Sequence, residues 1–356
     1  MTLYKILFYL IYSFAAFFAI WIALSIDLKK KNFHGVINYI SHGLIIIYAL
    51  LFGLRDIDIG TDTSLYHYQY YNYEEIDFGT DAPVGLLIML LNNFSKNPQV
   101  FLFLMSFLFL IVYSYSLWKY SDIQQSNFYL IVFSLISLFF FESLGINIIR
   151  QGVSIAFFIL AIITHKIVPY QKYKWRFLLI MSVCFHFTSI IPILIYFLVI
   201  SLKKVPINYF YYLYLISALL AAISFSILSF KDYFIGLLFI DERRSSYLID
   251  DFLDYTVGFK PQFVVFNSIF LILFFYLNRI QNNVFYTNLL KYYALISAVF
   301  FMMFQIPYSD RWGIMSWCVI PLLIAPIFKV HDNRVSMNST FIVLFLIFIF
   351  IFFQSR

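Results

Sequence analysis

Five short stretches of this largely apolar chain carry side chains able to do chemistry. The first runs Gly53-Leu54-Arg55-Asp56-Ile57-Asp58-Ile59-Gly60-Thr61-Asp62-Thr63, with Tyr66 close behind. Gly60 among Asp and Thr suits a turn whose side chains bond back to the backbone. Arg55 leaves an apolar run at the depth of lipid phosphates. It reads either as an anion ligand or as a boundary charge paired with Asp56 or Asp58. The second stretch is Glu142-Ser143-Leu144-Gly145-Ile146-Asn147-Ile148-Ile149-Arg150-Gln151-Gly152. Gly145 reads as a break and Asn147 as an N-cap. Arg150 then falls in a first helical turn, with Asn147, Gln151 and Ser154 on neighbouring faces. Free N–H groups and the positive dipole end at such a start favour a phosphate, and an arginine there strengthens the site. Glu142 either neutralises Arg150 or serves as a general base.

The third stretch, Phe185-His186-Phe187-Thr188-Ser189, interrupts a long apolar segment. A neutral imidazole beside two hydroxyls can take a proton from a substrate hydroxyl, and the alternative is a satisfied core histidine. The fourth is Tyr308-Ser309-Asp310-Arg311-Trp312 after Pro307, where Arg311 is either an anion ligand or the partner of Asp310. The fifth is the pair Arg243-Arg244 beside Asp241 and Glu242, which reads first as solvated loop charge.

The elements that must position these residues are membrane helices. The chain is 63% hydrophobic and 12% charged, whereas a soluble domain carries roughly 25% charged residues. Too little polar surface remains to cover a globule of this size. A helix needs ~20 mostly apolar residues to cross the hydrocarbon core. Runs near that length cover about 4–25, 36–54, 98–118, 127–142, 147–164, 208–230, 262–277, 288–306, 312–328 and 338–353. The first run lacks a basic start and a small-residue cleavage site, so it reads as a first helix rather than a signal peptide. The stretch 83–94 is too short to cross, and 177–201 is broken in its middle by His186, Thr188 and Ser189. The expected fold class is all-α: a polytopic membrane protein of about ten transmembrane helices plus a helical hairpin at 177–201. It forms a single membrane domain over 1–356, with two larger extracytoplasmic loops at about 55–82 and 231–261.

Lysine and arginine in short loops set orientation. With the amino terminus outside, 14 of the 24 basic residues fall inside, while the two outer loops hold 13 of the 18 acids. Both flanks of 177–201 are basic, which makes that segment a hairpin with His186 near its tip. The inside set is mostly lysine, and the outside set holds six arginines (Arg55, Arg150, Arg243, Arg244, Arg311 and Arg356). Lysine suffices to anchor a loop on anionic lipid, whereas the arginine fork suits phosphate or carboxylate oxygens. The active face is therefore expected on the outside. Cys184 and Cys318 sit in apolar runs as small buried hydrophobes, and the sequence has no P-loop, dinucleotide-binding glycine pattern or HExxH.

Taken in order, these residues are familiar. Leu54-Arg55, then Gly60-Thr61-Asp62-Thr63-x-x-Tyr66, then Asn147-x-x-Arg150-Gln151, then Phe185-His186-Phe187-Thr188-Ser189 leading into Pro192, and finally Arg311, resemble the EpsG family over roughly 36–330. That family is grouped with Wzy-type polymerases of O-antigen (lipopolysaccharide), capsule and exopolysaccharide assembly. The resemblance implies a glycosyltransferase in the cytoplasmic membrane. It would move a growing glycan from undecaprenyl diphosphate to a hydroxyl of an incoming lipid-linked repeat unit at the outer face. Arg55, Arg150 and Arg311 would clamp the diphosphate, with Gln151, Asn147, Asp62, Tyr66, Arg243 and Arg244 as further substrate contacts. His186 is the first candidate base and Glu142 the second. No cofactor, metal or nucleic acid is implied. The partners are the lipid-linked oligosaccharide, the bilayer and a separate chain-length regulator. An O-antigen ligase needs the same clamp and base. A lipid-linked oligosaccharide flippase instead predicts charges along the depth of several helices and an internal repeat, neither of which the sequence displays.

Overall fold

The computed structural model of the chain describes residues 2–24, 31–76, 79, 82–227, 257–331, 334–335 and 337–354. Arg243, Arg244 and most of the second expected loop lie outside the described residues.

Helices dominate: α1 (Leu3–Leu24), α2 (Lys31–Gly53), α3 (Thr63–Tyr71), α4 (Ala82–Phe94), α5 (Gln99–Gln124), α6 (Phe128–Ile136), α7 (Phe140–Ile146), α8 (Ile149–Ile167) and α9 (Lys172–Phe185). After a 3-10 turn at Phe187–Ser189 come α10 (Ile190–Ser201), α11 (Ile207–Ala222), α12 (Pro261–Gln281), α13 (Val284–Met302), α14 (Asp310–Trp317), α15 (Ile320–Ile324) and α16 (Met337–Gln354). Two-residue strands Val330–His331 and Arg334–Val335 form one small antiparallel pair. Among the described residues, seven helical segments are long and apolar enough to cross a membrane, and the bent pair α6–α7 makes an eighth. The chain is an all-α, multi-pass membrane protein. α4, at 13 residues, is as short as its sequence requires.

The chain divides into two compact units, residues 1–189 with 324–356, and residues 190–323. In the first, α5 is the central helix, flanked by α2 and α8, and α9 packs on α8. Phe101, Met105, Phe109 and Tyr113 recur every fourth residue along α5 and are fully buried. Lipid is as apolar as these side chains, so helix association rests on close packing and small residues rather than on hydrophobic transfer. Gly53 of α2 is such a contact, because a Cβ there would lie 2.7 Å from the Phe103 Cα.

The apolar run at 127–142 does not continue as one straight helix. α6 and α7 bend by 80° at Ser137–Phe139, which hydropathy alone did not reveal. No proline is involved. The Ser134 hydroxyl donates back to the Ile131 carbonyl at 2.7 Å, and Ser137 Oγ accepts from the Tyr12 hydroxyl at 3.2 Å. Serine side chains that compete for backbone partners favour a bend at this position.

Two ends of this unit are chemically distinct. At one end, Ser126 Oγ donates to the Ala325 carbonyl (2.7 Å), and Thr340 Oγ1 to the Ala23 carbonyl (3.3 Å). These ends adjoin the lysine-rich segments expected inside. At the other end, Gln99 Nε2 donates to the carbonyls of Gly53 (2.6 Å) and Arg55 (2.9 Å), and the Tyr9 hydroxyl to Gln354 Oε1 (3.2 Å).

In the second unit α13 is central, against α11, α12, α14 and α10. Buried Lys291 donates from Nζ to the carbonyls of Lys203 (3.1 Å) and Val205 (2.7 Å). Its ammonium thereby holds the turn after α10. The fully buried Asn267 accepts from Trp317 Nε1 at 2.7 Å.

Candidate functional site

Arg55 follows α2 directly and is only 3% exposed. Its fork reaches three elements: Nε donates to Thr63 Oγ1 (3.0 Å), Nη1 to the Phe52 carbonyl (2.6 Å) and Nη2 to the Ile146 carbonyl (2.8 Å). All three acceptors are neutral. Asp56 and Asp58 are exposed and make no ion pair with it, so the boundary-pair reading does not hold. Burial pushes the Arg55 pKa down to about 10, against the opposing pull of Tyr66 and Tyr4. The group thus stays cationic at neutral pH, with no carboxylate paired to it among the described residues.

The turn after Arg55 is built on Gly60, whose φ of +89° suits glycine, and a Cβ there would lie 2.6 Å from Asn147 Oδ1. The Thr63 hydroxyl donates to the Ile59 carbonyl, and the Thr61 hydroxyl to Asp62 Oδ1 at 3.0 Å. Asp62 precedes α3 without a side-chain cap bond, and is half-buried.

Asn147 is not the N-cap that its position implied. Ile148 occupies that place, and Asn147 ends α7 instead. Its Oδ1 accepts from the Thr61 N–H at 2.8 Å, and its carbonyl accepts from the Tyr66 hydroxyl. The side chain is spent on docking the outer turn rather than on starting α8. Gly145 likewise does not break the helix. It lies in the last turn of α7, where a Cβ would fall 2.1 Å from Phe52 Cδ2, so it serves the close approach of α7 to α2. That approach sets the Ile146 carbonyl within reach of Arg55.

Arg150 stands in the first turn of α8 as expected, half-buried, with Gln151 buried beside it. One turn on, Ser154 Oγ meets the Ser182 carbonyl (2.7 Å), Ser182 Oγ (3.1 Å) and Ser189 Oγ. This buried serine cluster seats the end of α9 on α8. His186 lies inside that frame: it ends α9 in extended conformation, its N–H donates to the Ser182 carbonyl (3.2 Å), and its carbonyl accepts from the Ser189 N–H (3.0 Å). Residues four apart share a helix face, so Arg150 lies on the side of α8 that faces the His186 break.

Glu142 is not paired with Arg150. It accepts from Gln354 Nε2 at 3.3 Å, and Tyr4, Tyr9 and Lys5 of α1 are its electrostatic neighbours. The 80° bend turns it toward α1 and α16 instead. In the second unit, Arg311 lies in the first turn of α14 and its guanidinium lies 4.8 Å from the Tyr308 ring centre. Lys260 Nζ donates to Ser309 Oγ in the same turn at 2.9 Å, a cation that sequence reasoning did not single out.

His67 was also missed. It follows Tyr66 in α3, and its Nε2 is buried without a hydrogen-bond partner among the described residues. Burial first, then the Arg55 charge, holds its pKa below the usual value. The available signal was an ionisable residue beside Tyr66 in the turn-and-helix motif. Among the described residues, no three His, Cys, Asp or Glu side chains converge as a metal site.

Residues 38–356 match the family model described as EpsG family. The chain belongs to the EpsG family. No curated protein and no solved structure matches it. EpsG-family membership supports a polysaccharide-related, glycosyltransferase-like role in the membrane.

Proposed function

We propose that this EpsG-family protein is a Wzy-type polysaccharide polymerase. In this reading the whole chain is one membrane domain of about ten spans, with its active face outside the cytoplasmic membrane. A growing glycan leaves undecaprenyl diphosphate and joins a hydroxyl of the next lipid-linked repeat unit. The observation that carries the reading is Arg55: a buried cation satisfied by neutral acceptors, which holds together the α2 end, the α3 turn and the α7–α8 junction from which Arg150 emerges. Such a junction supplies positive potential, which favours a diphosphate leaving group.

Arg150 is a direct diphosphate ligand, assisted by Gln151, and Asp62 accepts from a sugar hydroxyl, while Arg55, Asn147 and Tyr66 position the turn; Arg311, in the second unit, is a further substrate contact. His186 takes the acceptor proton as the new glycosidic bond forms, and the diphosphate departs with the bonding electrons. Glu142 is the second candidate base. Arg243 and Arg244 extend the substrate contacts. The test is glycan profiling by gel in a strain deleted for the gene and complemented with wild type or Arg150→Ala. Collapse of a ladder to single repeats, with the variant still in the membrane, supports the reading. Normal polymer from Arg150→Ala overturns the assigned role. Full-length polymer stranded on the lipid carrier indicates a ligase instead, and single repeats on the cytoplasmic face indicate a flippase.

A further inference from the structure

A cavity in the first unit lies away from the residues discussed so far. It has a volume of about 520 Å³ and is lined by the carboxy-terminal ends of α5 and α8 and the start of α9. Thr164 on its wall is fourteen residues beyond Arg150 on α8, which places it roughly 21 Å away at 1.5 Å rise per residue. Its apolar wall includes Leu160, Ile163 and Phe177, and its cationic side chains are Lys119 and Lys174. These belong to the segments that charge distribution assigns to the cytoplasmic side.

Among the described residues, neither lysine has a carboxylate partner. Lys119 Nζ rests 5.4 Å from the Tyr115 ring centre and 5.1 Å from that of Trp118, and Lys174 Nζ lies 5.9 Å from that of Tyr173. Asp122, one turn beyond Lys119, is exposed and forms no ion pair with it. Two uncompensated ammonium groups thus flank an apolar groove at the expected depth of the inner-leaflet phosphates. Basic pockets between transmembrane helices on this side suit anionic lipid headgroups, while an apolar wall suits an acyl chain.

We infer that this groove binds an acidic phospholipid of the cytoplasmic leaflet, its phosphate between Lys119 and Lys174 and an acyl chain along Leu160, Ile167 and Phe177. The site is independent of the polymerase reading. The experiment is native mass spectrometry of the purified full-length protein exchanged into phosphatidylglycerol or phosphatidylcholine of matched chains. Wild type should retain phosphatidylglycerol preferentially. A lysine near an anionic membrane surface contributes roughly fivefold, so Lys119→Gln with Lys174→Gln should weaken retention by about 25-fold. Ile167→Trp, at an exposed position of the apolar wall, fills the groove without touching charge and should also weaken it. Lys172→Gln, an exposed lysine at the same end that does not line the groove, should leave it unchanged. Equal retention of both lipids by wild type overturns the inference. So does undiminished retention by the double variant or by Ile167→Trp, or an equal loss in Lys172→Gln. Inorganic phosphate that displaces the lipid with comparable affinity also overturns it, since the acyl wall would then contribute nothing.

Discussion

Replacing Arg55 by lysine keeps the charge and removes the fork. The guanidinium spreads its donors over three nitrogens that reach Thr63 Oγ1, the Phe52 carbonyl and the Ile146 carbonyl at 3.0, 2.6 and 2.8 Å. A single ammonium is a compact point donor and leaves at least one of these acceptors unfilled. A hydrogen bond to a charged group is worth about 1.5–3 kcal/mol, so the variant loses roughly that amount. At about 2 °C per kcal/mol for a large chain, the melting temperature falls by roughly 3–6 °C. The assay is tryptophan scanning fluorimetry of the purified protein in detergent, paired with polymer length in a complemented deletion strain. Both should drop, because the same fork that stabilises the fold also seats the α3 turn against the α7–α8 junction. Wild-type melting together with a wild-type ladder for Arg55→Lys would refute the claim that the fork organises the site.

Further outcomes follow from the same geometry. Gly60→Ala should cost about 1–2 kcal/mol from the left-handed backbone, with an added clash against Asn147 Oδ1, and should shorten polymer; melting and gel profile check both. His67, held below its usual pKa by burial and then by Arg55, is more easily protonated in the unfolded chain. The folded state therefore loses stability as pH falls through the unfolded value near 6.5, and there is no such effect at higher pH where both states are neutral. His67→Gln should flatten the melting-temperature profile between pH 7.5 and 5.5. Lys291→Met retains the apolar stem but abandons the carbonyls of Lys203 and Val205; a loss of about 2–4 kcal/mol should appear as a lower melting temperature.

Membrane helices were legible because length and apolarity alone define them, and α4 and the interruption at His186 fell where hydropathy put them. The bend at Ser137–Phe139 was not legible, since apolar residues continue through it and its cause is hydroxyl bonding to backbone and to Tyr12. Arg150 at the start of α8 was readable from its spacing. The Arg55 network was not, because two of its acceptors are main-chain carbonyls, one of them distant in sequence, and no residue type announces them. Asn147 shows the limit of local rules: the helix-start motif was present, yet a tertiary partner, the Thr61 N–H, claimed the side chain. Of the two readings of Glu142, the pairing with Arg150 fails for a related reason, as the bend faces it toward Gln354.

The most direct measurement is reconstitution of the purified protein with the native lipid-linked repeat unit in proteoliposomes, reading glycan length and released undecaprenyl diphosphate. Glycan lengthening with one diphosphate released per new linkage, reduced on the order of 10²-fold or more in Arg150→Ala, is the predicted result. Repeat units that cross the bilayer without growing, or lengthening undiminished in that variant, would contradict it.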